Sequence, residues 1–110
     1  MKHLLRVYIE NVDHAFELLR DIREHGYNGI VFNTSSLKHK LEDSENDEYL
    51  FFNLEHLNHS HLVETTFCYF IVDEDKLEDL KSLVREGTNH FKDIRGGMYS
   101  SPLSDYEGSL

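Results

Sequence analysis

The run "ETTFCYFIVDEDKLEDLKSLVREG" constrains the fold more than any other part of this chain. Its first ten residues are dense in β-branched and aromatic side chains and read as a central strand. They pass without a linker into a helix. Asp75 and Glu78 are spaced as a capping box, with further acids crowding the helix start. Leu77, Leu80, Leu83 and Val84 form the helix's apolar stripe, and Gly87 is expected to end it. The next element is a short last strand in "RGGMYSSPL".

The N-terminal third repeats this order. "HLLRVYIE" alternates with period two, setting Leu5, Val7 and Ile9 on one face and Leu4, Arg6 and Tyr8 on the other. Asn11 or Asp13 offers an N-cap for "VDHAFELLRDIREHG", whose stripe holds Ala15, Phe16, Leu19 and Ile22, with Leu18 beside them. Gly26 is placed for a left-handed C-terminal residue, and "GIVFN" reads as the next strand. Strand–helix–strand taken twice predicts an α+β, ferredoxin-like βαββαβ sandwich. Its four-stranded antiparallel sheet carries both helices on one face. The whole chain, 110 residues, is one domain by length.

Residues 35–63 exceed that minimal scheme and read as a long insertion between strands two and three. The acidic run Glu42 to Glu48 would form the tip of an extended hairpin, and Tyr49 to Leu57 a plausible extra strand. With helices on one face only, the sheet's other face must meet water or another chain. Strand three offers apolar residues both ways: Phe67, Tyr69 and Ile71 against Cys68, Phe70 and Val72. Exposed apolar patches of this kind mark interfaces, and cyclic symmetry would bury this one against copies of the chain. A homo-oligomer is therefore expected.

A formal charge of −10 and the lack of a lysine–arginine cluster argue against a nucleic-acid partner. The longest apolar run, "FCYFIV", falls far below the ~20 residues of a bilayer span, so no membrane insertion is expected. A lone cysteine, Cys68, excludes an internal disulfide and fits a reducing, cytoplasmic setting. Its mid-strand position reads as inert packing. Ser100 and Ser101 lack a neighbouring histidine or a nucleophile-elbow glycine pattern, and no carboxylate pair stands out. No catalytic activity is expected.

The segments "VETTFCYFIVDEDKLEDLKSLVREGTNHFKDIRGGMYSSPLSDYEG" and "HLLRVYIENVDHAFELLRDIREHGYNGIVFNTSSLK" together resemble the PII-like (nitrogen-regulatory-protein-like) signalling family. Shared features are the apolar strand entering an acid-capped helix, the glycine loop, the closing Ser-Pro strand and the Gly26–Gly29 spacing. The resemblance implies a homotrimer with inward-facing sheets. Clefts between subunits would hold a nucleotide or other small anionic metabolite. The loop spanning 38–62 would carry a signal to a protein partner. Gly96 matches a glycine of the family's phosphate loop, while Tyr99, Ser101 and Pro102 match the final strand. The chain resembles a divergent member: Gly97 stands where the family has lysine, Val31 where it has threonine, and the tail after Leu103 has no basic residue. CutA-type trimers share the element order.

The candidate binding set is Asn33, Thr34, Arg95, Gly96 and Gly97. Glycines permit positive φ, which would let their N–H groups face an anion beside the Arg95 guanidinium. Which ligand or cofactor would occupy it is not specified by these residues. A rival reading uses His56, His59 and His61 as metal ligands, although no established zinc spacing accompanies them. A third is a purely structural oligomer. The acidic run "EDSENDE" lacks the spacing and central glycine of a calcium loop.

Overall fold

The computed structural model describes residues 1–34, 37, 41 and 65–110. The expected hairpin strand Tyr49–Leu57, the acidic tip and the three histidines His56, His59 and His61 lie outside the described residues. Elements follow the expected order: β1 (Lys2–Ile9), α1 (Val12–Glu24), β2 (Ile30–Thr34), β3 (Thr65–Asp73), α2 (Glu74–Thr88) and β4 (Gly96–Leu103). The sheet runs β2-β3-β1-β4 with every neighbouring pair antiparallel. This is the ferredoxin-like α+β arrangement.

Register sorts the side chains into two layers. Leu5, Val7 and Ile9 of β1 and Thr66, Cys68, Phe70 and Val72 of β3 point under the helices and are buried. There they meet Ala15, Leu18 and Ile22 of α1 and Leu77, Leu80, Leu83 and Val84 of α2, forming one core. Burial of this apolar surface is the main favourable term holding the two layers together. It also pushes the Cys68 thiol up to about 12, as expected for a thiol shut away from water.

Helix ends show where local reading succeeds and fails. Asn11 caps α1, its side chain accepting from the His14 N–H at 3.1 Å, and Gly26 leaves the helix with φ +94°. At α2 the capping-box expectation is corrected. The cap position belongs to Asp73, which makes no capping hydrogen bond because its carboxylate meets Lys2 Nζ at 2.9 Å. That bond, the larger cause, and the lysine's charge hold the Asp73 carboxyl below its usual range.

Gly87 does not end the helix either. It lies inside α2, where a Cβ would press on Leu18 of α1, so its role is close helix packing. The stop comes at Asn89 (φ 51°), followed by His90 (φ 59°) and Phe91 (φ 58°), all left-handed. Asparagine is the residue that adopts this region most readily after glycine. The His90 N–H donates to the Arg85 carbonyl, and Phe91 turns back onto the core.

The buried-layer assignment predicts that Cys68 resists a water-soluble disulfide reagent in native buffer and reacts at once in denaturant. Rapid native labelling would contradict the packing.

Candidate functional site

The face away from the helices is built of rungs that cross the sheet. Phe32 pairs with Phe67, Phe67 with Tyr8, and Tyr8 with Gly97. This rung is aromatic across three strands. Phe32 and Phe67 stack with centroids 5.6 Å apart, and Phe67 and Tyr8 with centroids 5.9 Å apart. The next rung toward the sheet centre is Ile30, Tyr69, Arg6 and Tyr99. Here the Arg6 guanidinium lies 5.1 Å from the Tyr69 ring centroid and 5.5 Å from that of Tyr99. Arg6 Nη1 also donates to the Tyr99 hydroxyl at 3.2 Å, the main reason its pKa is raised. Much of this face is open: Phe32 is 41% exposed and Tyr99 48%.

One step the other way, at the end of the sheet, the chemistry changes to polar. Thr34 pairs with Thr65. Continuing the β1–β3 and β1–β4 registers by one residue brings Glu10 beside Thr65 and opposite Arg95. The Glu10 N–H donates to the Arg95 carbonyl at 2.9 Å, so the ladder itself fixes these two residues side by side. Their side chains share the open face with Tyr8 because alternate residues of a strand point the same way.

Between the polar rung and the aromatic one lies a cleft of about 320 Å³, lined by Tyr8, Glu10, Thr34, Thr65, Phe67 and Arg95, with Gly96 supplying backbone. That volume is at the small end of the ~300–1,000 Å³ typical of ligand sites.

Of the five expected binding residues, Thr34, Arg95 and Gly96 meet in this cleft. Asn33 lies on the opposite face of β2, where its Oδ1 accepts from Thr66 Oγ1 at 2.9 Å. Gly97 sits in the neighbouring rung beneath the Tyr8 ring. A Cβ there would lie 2.8 Å from the Tyr8 hydroxyl.

The expected reason for the two glycines is also replaced. Neither has positive φ, and both belong to the β1–β4 ladder. Gly96 is needed because a Cβ would collide with the backbone carbonyl oxygen of Tyr8. Sequence reasoning missed Tyr8, Glu10, Thr65 and Phe67. The alternation of the first and third strands had placed Tyr8 and Phe67 on definite faces, but not the pairing that joins them.

A second cleft, about 360 Å³, lies at the other end of the sheet near Lys2, Tyr27, Asp73 and Asp79. Four of its polar groups are paired with one another. Lys2 pairs with Asp73, and the Tyr27 hydroxyl donates to Asp79. Desolvation first, then that hydrogen bond, pushes Tyr27 up to about 12. This cleft is a fastening between the loop after α1 and α2. Among the described residues, no group of three or more His, Cys, Asp or Glu side chains is placed to hold a metal ion. Nor is any described helix long and apolar enough to cross a membrane.

No protein-family model and no curated protein matches the chain. Among solved structures it is similar to a functionally unknown protein from Pediococcus pentosaceus ATCC 25745, with a TM-score of 0.63 at 8% identity. That match covers 98% of this chain and 97% of the other. A de novo designed protein, Foldit4, gives a TM-score of 0.45 at 10% identity, covering 93% of this chain and 96% of that one. At this identity the first likeness concerns the fold alone.

The two glycines make a graded prediction. Gly96→Ala forces backbone apart and should destabilise by about 1–3 kcal/mol in denaturant titration. Gly97→Ala meets only the movable end of the Tyr8 ring and should cost less. The reverse order would contradict the described β1–β4 approach.

Proposed function

We propose that the chain is a PII-like regulatory module in which three copies meet through their open sheet faces. A small metabolite carrying an anionic group occupies the cleft at the end of each sheet. The observation that carries this reading is the junction, on one face, of a stacked aromatic field with a cleft whose rim holds Arg95. An aromatic field of this extent favours association, since each ring buried removes a large apolar area from water. A neighbouring subunit lying over the field would also roof the cleft.

Arg6 adds support. Its Nε is buried yet has no hydrogen-bond partner among the described residues. Such groups normally find an acceptor, and a facing subunit can supply one. Connectivity supports a signalling role. The chain leaves the cleft at Thr34 and returns to it at Thr65, so residues 38–62 are tied to the site at both ends. Ligand occupancy would bear directly on the segment offered to a protein partner. A cytoplasmic setting suits the single buried thiol.

The reading is tested by thermal shift against nucleotides, cyclic dinucleotides, carboxylates and amino acids. A ligand at a hundredfold excess over its Kd stabilises by about 2.7 kcal/mol, a rise of ~10 °C for a domain of this size. The expected result is such a shift with at least one class, abolished by Arg95→Ala without change in the unliganded midpoint. A shift that survives Arg95→Ala, or no shift with any class, would contradict it.

A further inference from the structure

The charges on the rim of the cleft narrow what it can hold. Arg95 Nε and Glu10 Oε2 stand 3.9 Å apart, too far for a hydrogen bond, with the arginine side chain 85% exposed and the glutamate 40%. A loose, solvated pair of this kind contributes little to stability. A ligand that separates the two groups therefore sacrifices little. Their bases stay fixed, because the Glu10 N–H to Arg95 carbonyl bond holds the two backbones together. The protein thus presents one cation and one anion a few ångströms apart at the mouth of a cleft floored by Phe67 and Tyr8.

A nucleoside polyphosphate is poorly matched to this rim. Its several negative charges would face a single guanidinium already opposed by a carboxylate, so the pair presents no net positive charge. A molecule carrying adjacent opposite charges is matched on both sides. Its carboxylate can accept two parallel hydrogen bonds from the planar guanidinium, and its ammonium can donate to Glu10. The Thr34 and Thr65 hydroxyls, able to donate or accept, line the wall beside them. An apolar group attached to the same carbon would lie over the Phe67 and Tyr8 rings.

We infer that the cleft is a receptor site for a free α-amino acid with an aliphatic or aromatic side chain. Arg95 binds the carboxylate, Glu10 the ammonium, and the aromatic rung the side chain. This inference rests on the reading of the cleft as a small-molecule site and names the class of its ligand.

Isothermal titration of the full chain tests it, with L-leucine and L-phenylalanine as probes. N-acetyl-L-leucine removes the ammonium, L-leucinamide removes the carboxylate, and ATP represents the polyphosphates. The free amino acids should bind, and blocking either end should weaken binding about tenfold or more. Glu10→Gln should abolish the discrimination against the acetylated probe, and Arg95→Gln that against the amide. The blocked probes make the same comparison on the unsubstituted protein, so misfolding of a variant leaves the test intact.

Equal binding of free and blocked probes would overturn recognition of the zwitterion. Binding of ATP with none of either amino acid would overturn the inference while leaving the small-molecule reading in place. Silence from every probe here, together with silence across the wider thermal-shift classes, would remove both.

Discussion

Pairing of β1 with β3, in the register that sets Val7 opposite Cys68 and Tyr8 opposite Phe67, is the constraint on which the rest of the molecule depends. A slip by one residue would exchange the two faces of the sheet. Leu5, Val7 and Ile9 would be turned to water, and Arg6 would be driven under the helices without a counter-charge. The cost of either error fixes the register firmly. Once it is fixed, together with the β1–β4 and β2–β3 registers, what the other face displays is fixed as well. The end rung must join the threonines of β2 and β3 to Glu10 and Arg95, and the next rung must be aromatic.

The uncovered face is neither uniformly greasy nor uniformly wet. Arg6 sits at its centre between two tyrosine rings, an arrangement that keeps a permanent cation in partly apolar surroundings through cation–π contact and one hydroxyl bond. A purely apolar face would invite unselective adhesion. A centrally placed guanidinium, whose Nε has no hydrogen-bond partner among the described residues, makes this face selective as well as apolar. The cleft lies on the same face, toward the end of the sheet.

The element order was legible because each element announces itself locally: period-two alternation in "HLLRVYIE", an apolar stripe in each helix, and Asn11 as a cap. The stop of α2 was not, because Asn89 adopts the left-handed conformation that a sequence reader assigns to glycine, and Gly87 serves packing against Leu18 instead. The cleft was half legible. Thr34, Arg95 and Gly96 lie at strand ends, where turn chemistry is visible in the sequence. Tyr8, Glu10, Thr65 and Phe67 become neighbours only through pairing between strands more than fifty residues apart. Asn33 shows a different limit: strand alternation alone sets it on the face opposite Thr34, so the two could not line one cleft, and the register shows which of them does.

Sedimentation velocity across a dilution series tests most directly the claim that another copy covers this face. The account predicts a species of three chains that persists into the low-micromolar range. Placing a charge at Phe32, exposed on an edge strand, should shift that species to single chains without loss of helix or strand signal. A wild-type protein that sediments as one chain at every concentration would contradict it.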